Sequence, residues 1–227
     1  MDVKISSSRI LLLFLLFSFV QFMECEDQWM FQSEKQWDKE WKSGAWTYLE
    51  KIAVERSRIA IIGGVLIPMY TGGNSSVLDI GCGEGAISDF LSPIQRSRYV
   101  GVDISKEAIS VAKASRGAPR KFVHAAAHLF SPMHKFDVII FSDMLYYVEH
   151  EKILKQYDSY LNPNGIVIIS IFHQTEKLMY EHIFNFARTL FLQVDEIDVG
   201  GYTIKKKGGS REKTAFHVEV YRQRTIT

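Results

Sequence analysis

Val77-Leu78-Asp79-Ile80-Gly81-Cys82-Gly83-Glu84-Gly85 joins a short apolar run to three glycines at alternate positions. The next residues, Ala86-Ile87-Ser88-Asp89-Phe90-Leu91, repeat apolar side chains at helical spacing. The stretch therefore predicts a strand, a tight turn and the start of a helix. Glycines are needed there because a backbone that turns sharply, or lets a ligand approach to van der Waals contact, cannot carry Cβ atoms. The helix start beyond the turn offers unpaired N–H groups to a polar or anionic group.

A glycine turn is common to several kinds of nucleotide site, and the second strand narrows the choice. Tyr99-Val100-Gly101-Val102-Asp103-Ile104 ends in an acid eighteen residues after Gly85, where a carboxylate can accept hydrogen bonds from two ribose hydroxyls. The glycines run G-x-G-x-G, not G-x-G-x-x-G, and Asp79 sits inside the first strand, which makes a nicotinamide-dependent oxidoreductase the weaker reading. Together VLDIGCGEG and VGVDIS resemble the first two motifs of the class I S-adenosylmethionine-dependent methyltransferases. The resemblance implies an α/β fold with a doubly wound, mostly parallel seven-stranded sheet whose last strand is reversed. It implies S-adenosyl-L-methionine as cofactor and methyl transfer as activity. It also implies that Asp79 lies beside the methionine part and Asp103 on the ribose, with Gly81, Cys82, Gly83, Gly85, Ile104, Ala126 and Ser142 completing the cofactor site. Relatives often carry an acid after the third strand that accepts from the adenine amino group, and here Ala126 stands at the matching position.

The chain has 227 residues, 47% apolar and 23% charged, which suits one domain with a sizeable core. A net charge of +1 gives no global attraction to nucleic acid or acidic membranes, so binding must come from a shaped pocket. Residues 1–25 differ from the rest. Lys4 and Arg9 precede the apolar run Ile10–Val20, which is shorter than the roughly 20 residues a spanning helix needs. They read as a signal peptide for secretion or the secretory lumen, the rival being an uncleaved anchor over residues 10–23. Cleavage would leave no stable membrane insertion. It would also leave one cysteine, Cys82, read as a small packing residue, and so no intramolecular disulfide. Asn74-Ser75-Ser76 is a glycosylation sequon that only a lumenal chain would use.

Residues 26–70 read as an aromatic and helical cap, and residues 71–227 as the methyltransferase domain. Trp37, Trp41, Trp46 and Tyr48 suit a lid over a cationic or apolar ligand. A helix from Leu49 to about Ile62 is expected, with Ile52, Arg56 and Ile59 on one side, ending at Gly63-Gly64. The pattern Trp-x3-Trp-x-Ser-Gly-x-Trp-x-Tyr-Leu with Glu55-Arg56 resembles the nodulation N-methyltransferases, whose acceptor is an amino sugar.

Further on, Phe136–Phe141 reads as a doubly covered parallel strand that delivers Ser142, Asp143, Tyr146 and Tyr147 to the carboxyl edge of the sheet, where open α/β folds bind ligands. Asp143 is the first candidate for holding an acceptor amine or acting as base, and Tyr146 for lining the acceptor site. His173, ending the fifth strand, is a second candidate base. His124, His128 and His134 lack convergent carboxylates, so no metal site is expected. The terminal stretches Leu192–Val199 and Ala215–Arg222 alternate apolar and polar residues, as a reversed last strand pair would, around Lys205-Lys206-Lys207. No basic groove with interleaved aromatics is apparent, which favours a small-molecule or sugar acceptor, methylated on N or O, over nucleic acid. The alternative is a lumenal binding protein that keeps the fold without catalysis.

Overall fold

The computed structural model describes residues 31–49, 51–173, 177–204 and 211–224. The leader and the lysine run at 205–207 lie outside them. Seven strands form one sheet: β1 Val77–Ile80, β2 Tyr99–Asp103, β3 Lys121–His124, β4 Phe136–Ser142, β5 Leu161–Phe172, β6 Phe191–Ile204 and β7 Arg211–Gln223. Their order is β3-β2-β1-β4-β5-β7-β6. The first five run parallel, while β7 pairs antiparallel with both β5 and β6. This is the Rossmann-like methyltransferase fold that the sequence leads one to expect. Parallel strands covered on both faces need apolar side chains on both, and every residue of β1 is buried, as are Val138, Ile139, Ile140 and Phe141 of β4. Chain order reverses between β1 and β4, so the crevice outside their carboxyl ends is where a ligand is received.

The helices are α1 Glu34–Ser43, α2 Ala53–Ile61, α3 Ile67–Thr71, α4 Pro93–Ser97, α5 Lys106–Arg116, α6 His150–Asp158 and α7 Lys177–Leu190. A capping box starts α1: Gln36 N donates to Ser33 Oγ, and Ser33 N donates to Gln36 Oε1. Gly44, in the left-handed conformation, ends it. The turn after β1 begins a short 3₁₀ segment, Ala86–Phe90, not a full α-helix.

Two sequence expectations are corrected in the segment before β1. The buried stripe of α2 is Val54, Glu55, Arg58, Ile59 and then Ile62, whereas Arg56 lies outward with its guanidinium 5.0 Å from the Phe90 ring. An apolar count missed this face because two of its members are charged and satisfy each other. Nor does Gly63-Gly64 end the helix. The chain continues through a π segment, Ile62–Leu66, into α3. A Cβ on Gly63 would stand 2.8 Å from the Ile87 carbonyl oxygen, so glycine there permits close packing on the 3₁₀ segment.

Candidate active site

A cavity of about 410 Å³ opens at the carboxyl edge of β1, β2 and β4, inside the range for small-molecule sites. At one end lies the glycine turn. Gly81 and Gly83 have φ of 74° and 53°, which L side chains rarely adopt. A Cβ on Gly81 would meet Met144 Cβ at 2.7 Å, and one on Gly83 would meet the Trp41 ring at 3.1 Å. Both Gly81 N and Cys82 N donate to the Val102 carbonyl, at 2.8 and 3.0 Å, which ties the turn to β2.

Asp103 stands across from this turn. Gly83 N donates to its Oδ2 at 2.8 Å and Ser105 N to its Oδ1 at 2.8 Å, so the carboxylate is fixed while lone pairs on both oxygens remain for a ligand diol. Deeper, Asp79 is 1% exposed. Tyr99 Oη donates to Asp79 Oδ2 at 2.7 Å, but Oδ1 is buried with no hydrogen-bond partner among the described residues. Burial pushes the Asp79 carboxyl up to about 7, against the Tyr99 hydrogen bond and with the Asp103 charge adding to the rise. A buried acceptor without a donor is costly, and a ligand amine would satisfy it. Ala126 lines the cavity, but its carbonyl already accepts from Leu129 N and Phe130 N, at 3.0 and 3.1 Å. The Ala127 carbonyl takes the Tyr157 hydroxyl at 2.8 Å.

The other end is aromatic and acidic. Trp37, Trp41, Trp46 and Tyr48 all line the cavity. Trp37 meets Tyr147 edge-on at 4.8 Å, and Tyr147 lies 4.4 Å from Tyr146. Beneath the rings Arg58 is 4% exposed and shared by two carboxylates, Asp143 at 2.7 Å and Glu55 at 3.0 Å. It also donates to Ser142 Oγ and lies 4.3 Å from the Phe216 ring. Asp143 has φ 52°, which only a minority of non-glycine residues adopt. Its Oδ1 is buried without a hydrogen-bond partner among the described residues. Burial pushes the Asp143 carboxyl up to about 6, opposed by Arg58 and assisted by the Glu55 charge, and Glu55 is likewise raised by burial. One guanidinium between two carboxylates leaves one negative charge uncompensated, which favours a proton or a cationic ligand in this compartment.

The structure brings Asp79, Gly81, Cys82, Gly83, Asp103, Ile104, Ala126, Ser142, Asp143 and Tyr146 to one cavity wall. Two sequence candidates stand apart. Gly85 is outside the wall and faces Phe122, where a Cβ would come within 2.4 Å of the ring. His173 is exposed at the end of β5, its ring 5.6 Å from Tyr180, and does not line the cavity. Cys82 packs on β2, where a Cβ on Gly101 would touch its Sγ at 2.8 Å, and burial holds its thiol well above the usual range. Arg58 went unnoticed in the sequence. The available signal was Glu55 and Arg58 at i,i+3 beside Ile59 and Ile62, a pattern consistent with a buried ion pair.

Residues 54–196 match a family model described as a methyltransferase domain. Comparison with the curated proteins gave no match. Among solved structures, the N-methyltransferase NodS from Bradyrhizobium japonicum WM9, in complex with S-adenosyl-L-homocysteine, is 19% identical with a TM-score of 0.63, over 79% of this chain and 92% of that one. The 1,6-didemethyltoxoflavin-N1-methyltransferase from Burkholderia thailandensis is 18% identical with a TM-score of 0.58, over 99% and 94%. The plantazolicin methyltransferase BpumL is 16% identical with a TM-score of 0.58, over 84% and 95%. At these identities the likeness establishes the shared fold.

Proposed function

The chain belongs to the methyltransferase-domain family, and from that premise we propose that it uses S-adenosyl-L-methionine to methylate an amine nitrogen of a small molecule or amino sugar. The observation that carries the amine reading is the single buried Arg58 guanidinium between the Glu55 and Asp143 carboxylates, walled by Trp37, Trp46 and Tyr48. An anionic compartment lined by rings suits a cationic amine. NodS and BpumL hold S-adenosylhomocysteine, the product left when S-adenosylmethionine gives up its methyl group, which supports S-adenosylmethionine as the cofactor here.

The residues at the glycine end fit that cofactor. Asp103 would hold the ribose diol, the unpartnered Asp79 Oδ1 would accept from the amino group of the methionine part, and the turn at Gly81–Gly83 leaves room for the backbone to approach. When bound, S-adenosylmethionine supplies an already activated methyl group on a sulfonium cation. Asp143 Oδ1 would accept the acceptor's N–H, aim its lone pair and take the proton that the nitrogen releases. Tyr146 and Tyr147 would exclude water and position the acceptor. Holding both reactants in line is the larger part of such catalysis, since positioning alone can be worth about 7–11 kcal/mol.

Calorimetric titration with S-adenosylmethionine, followed by a methyl-transfer assay on a panel of amines and alcohols, tests the reading. Asp103→Ala is expected to weaken cofactor binding strongly. Asp143→Asn should leave binding near normal and slow transfer by on the order of a hundredfold. Equal loss of cofactor affinity in both variants would overturn the division of the site. One observation favours a second reading, a binding protein without catalysis: neither Ala126 nor its engaged carbonyl can grip the adenine amino group. Cofactor binding with no turnover on any acceptor would select it. We also propose that residues 1–25 direct the chain into the secretory route and that residues 26–70 act as a cap on the domain beyond them.

A further inference from the structure

Outside the cavity, two helices bring a second set of chemically capable side chains together. His150 opens α6 and is buried, Glu151 follows it, and His182 reaches them from the exposed side of α7. One ligand atom from each lies within 4.8 Å of the other two. The two rings stand nearly perpendicular, at 81° with centroids 5.1 Å apart, and His182 Nδ1 faces His150 Nε2 at 3.1 Å. At that distance the two nitrogens either share a proton in a hydrogen bond or, once that proton is lost, bind a cation lying to one side of the line between them. With metal–nitrogen bonds of about 2.0–2.1 Å, a 3.1 Å separation subtends about 98° at the ion, between the octahedral and tetrahedral angles.

Glu151 completes the set by a side-chain rotation. Its side chain is 44% exposed and pairs with Lys155 at 3.7 Å, so the carboxylate can swing toward the imidazoles through solvent without disturbing the core. Phe186, its ring centroid 5.9 Å from that of His150, backs the buried imidazole. A comparable group elsewhere, Glu196, His217 and Glu219, is already consumed: Glu219 is held by Arg188 and Tyr221, and His217 Nδ1 lies 2.7 Å from Asp198.

We propose that His150, Glu151 and His182 bind one divalent ion of the zinc class, with water in the remaining positions. Two imidazoles and one carboxylate select a borderline metal over magnesium or calcium, which prefer all-oxygen sites. The ion would tie the start of α6, three residues beyond Tyr147, to α7, and so brace the Leu145–Tyr147 turn at the acceptor end.

The test uses the full chain stripped with chelator and titrated with zinc chloride by calorimetry, with cobalt(II) absorption as the report on ligand geometry. One equivalent is expected to bind, with visible ligand-field bands for cobalt and a rise in melting temperature at saturating zinc. Magnesium chloride should give neither. His182→Ala changes an exposed residue and leaves the core intact. It and Glu151→Gln should each weaken zinc binding by about tenfold or more and lose the thermal shift. No stoichiometric binding, or unchanged affinity in either variant, overturns the site.

Discussion

Arg58 decides the electrostatics of the acceptor end, and its effect is measurable through Asp143. The Asp143 carboxyl is raised by burial to about 6, from an ordinary value of 3.8. A raised carboxyl is protonated more readily in the folded chain, so the stability it contributes is complete below about pH 3.8 and is lost as pH rises through about 6. Activity should run the other way, because only the ionised form accepts a proton. In kcat/KM profiles an acidic limb near pH 6 is expected, with a plateau above it, and Asp143→Asn should remove that limb along with most of the activity. A limb that persists in Asp143→Asn would assign it to another group. At this scale the place of Asp103 beside the glycine turn was legible in the sequence, because it is the acid at the tip of the strand that follows the turn. Arg58 was not, because a charged residue counts as surface until its partners are known, and Asp143 lies 85 positions further along the chain.

The aromatic helix α1 is attached to the sheet domain by a short set of polar contacts. Ser105 Oγ donates to Asp38 Oδ1 at 2.7 Å and Glu107 N donates to the same oxygen at 3.2 Å, while Lys42 pairs with Glu107 at 3.0 Å. Ser105 is at once the N-cap of α5, accepting from Ala108 N at 3.1 Å, and the neighbour of Asp103 through its backbone donor. Asp38→Ala should therefore loosen the ring-bearing helix without disturbing the core. Cofactor release measured by stopped-flow is expected to quicken by about tenfold, equivalent to about 1.4 kcal/mol, with little change in melting temperature. That the four rings would line a ligand cavity was legible from their density in the sequence. The latch was not, since Asp38 in the sequence is one acid among many and its partner lies 67 residues away.

At the scale of the whole molecule, the fold class was the most readable property. The resemblance carried by the glycine-turn motifs implied a doubly wound sheet with a reversed last strand, which the alternating stretches near the C-terminus suit, and the order β3-β2-β1-β4-β5-β7-β6 agrees. Helix limits before β1 were less legible, because Gly63 serves a contact with Ile87 that no local rule encodes. The leader reading makes a prediction for the intact chain. Asn74 is exposed in the loop before β1, so expression in a eukaryotic secretory host should give a glycosylated band that an endoglycosidase collapses and Asn74→Gln abolishes. An unglycosylated product retained in the cytosol would refute the targeting. The helix that supplies Glu55 and Arg58 also plants Ile59 in the hydrophobic interior, followed directly by Ile62. On the proposed reading, recognition of the acceptor and packing of the interior are thus carried by the same two turns. A library randomised at those charged positions is expected to return fewer folded chains than one randomised at half-exposed Trp46 and exposed Tyr48, which shape the cavity wall without filling the core. New acceptors are, on that reading, reachable along the rim of this scaffold more readily than through its floor.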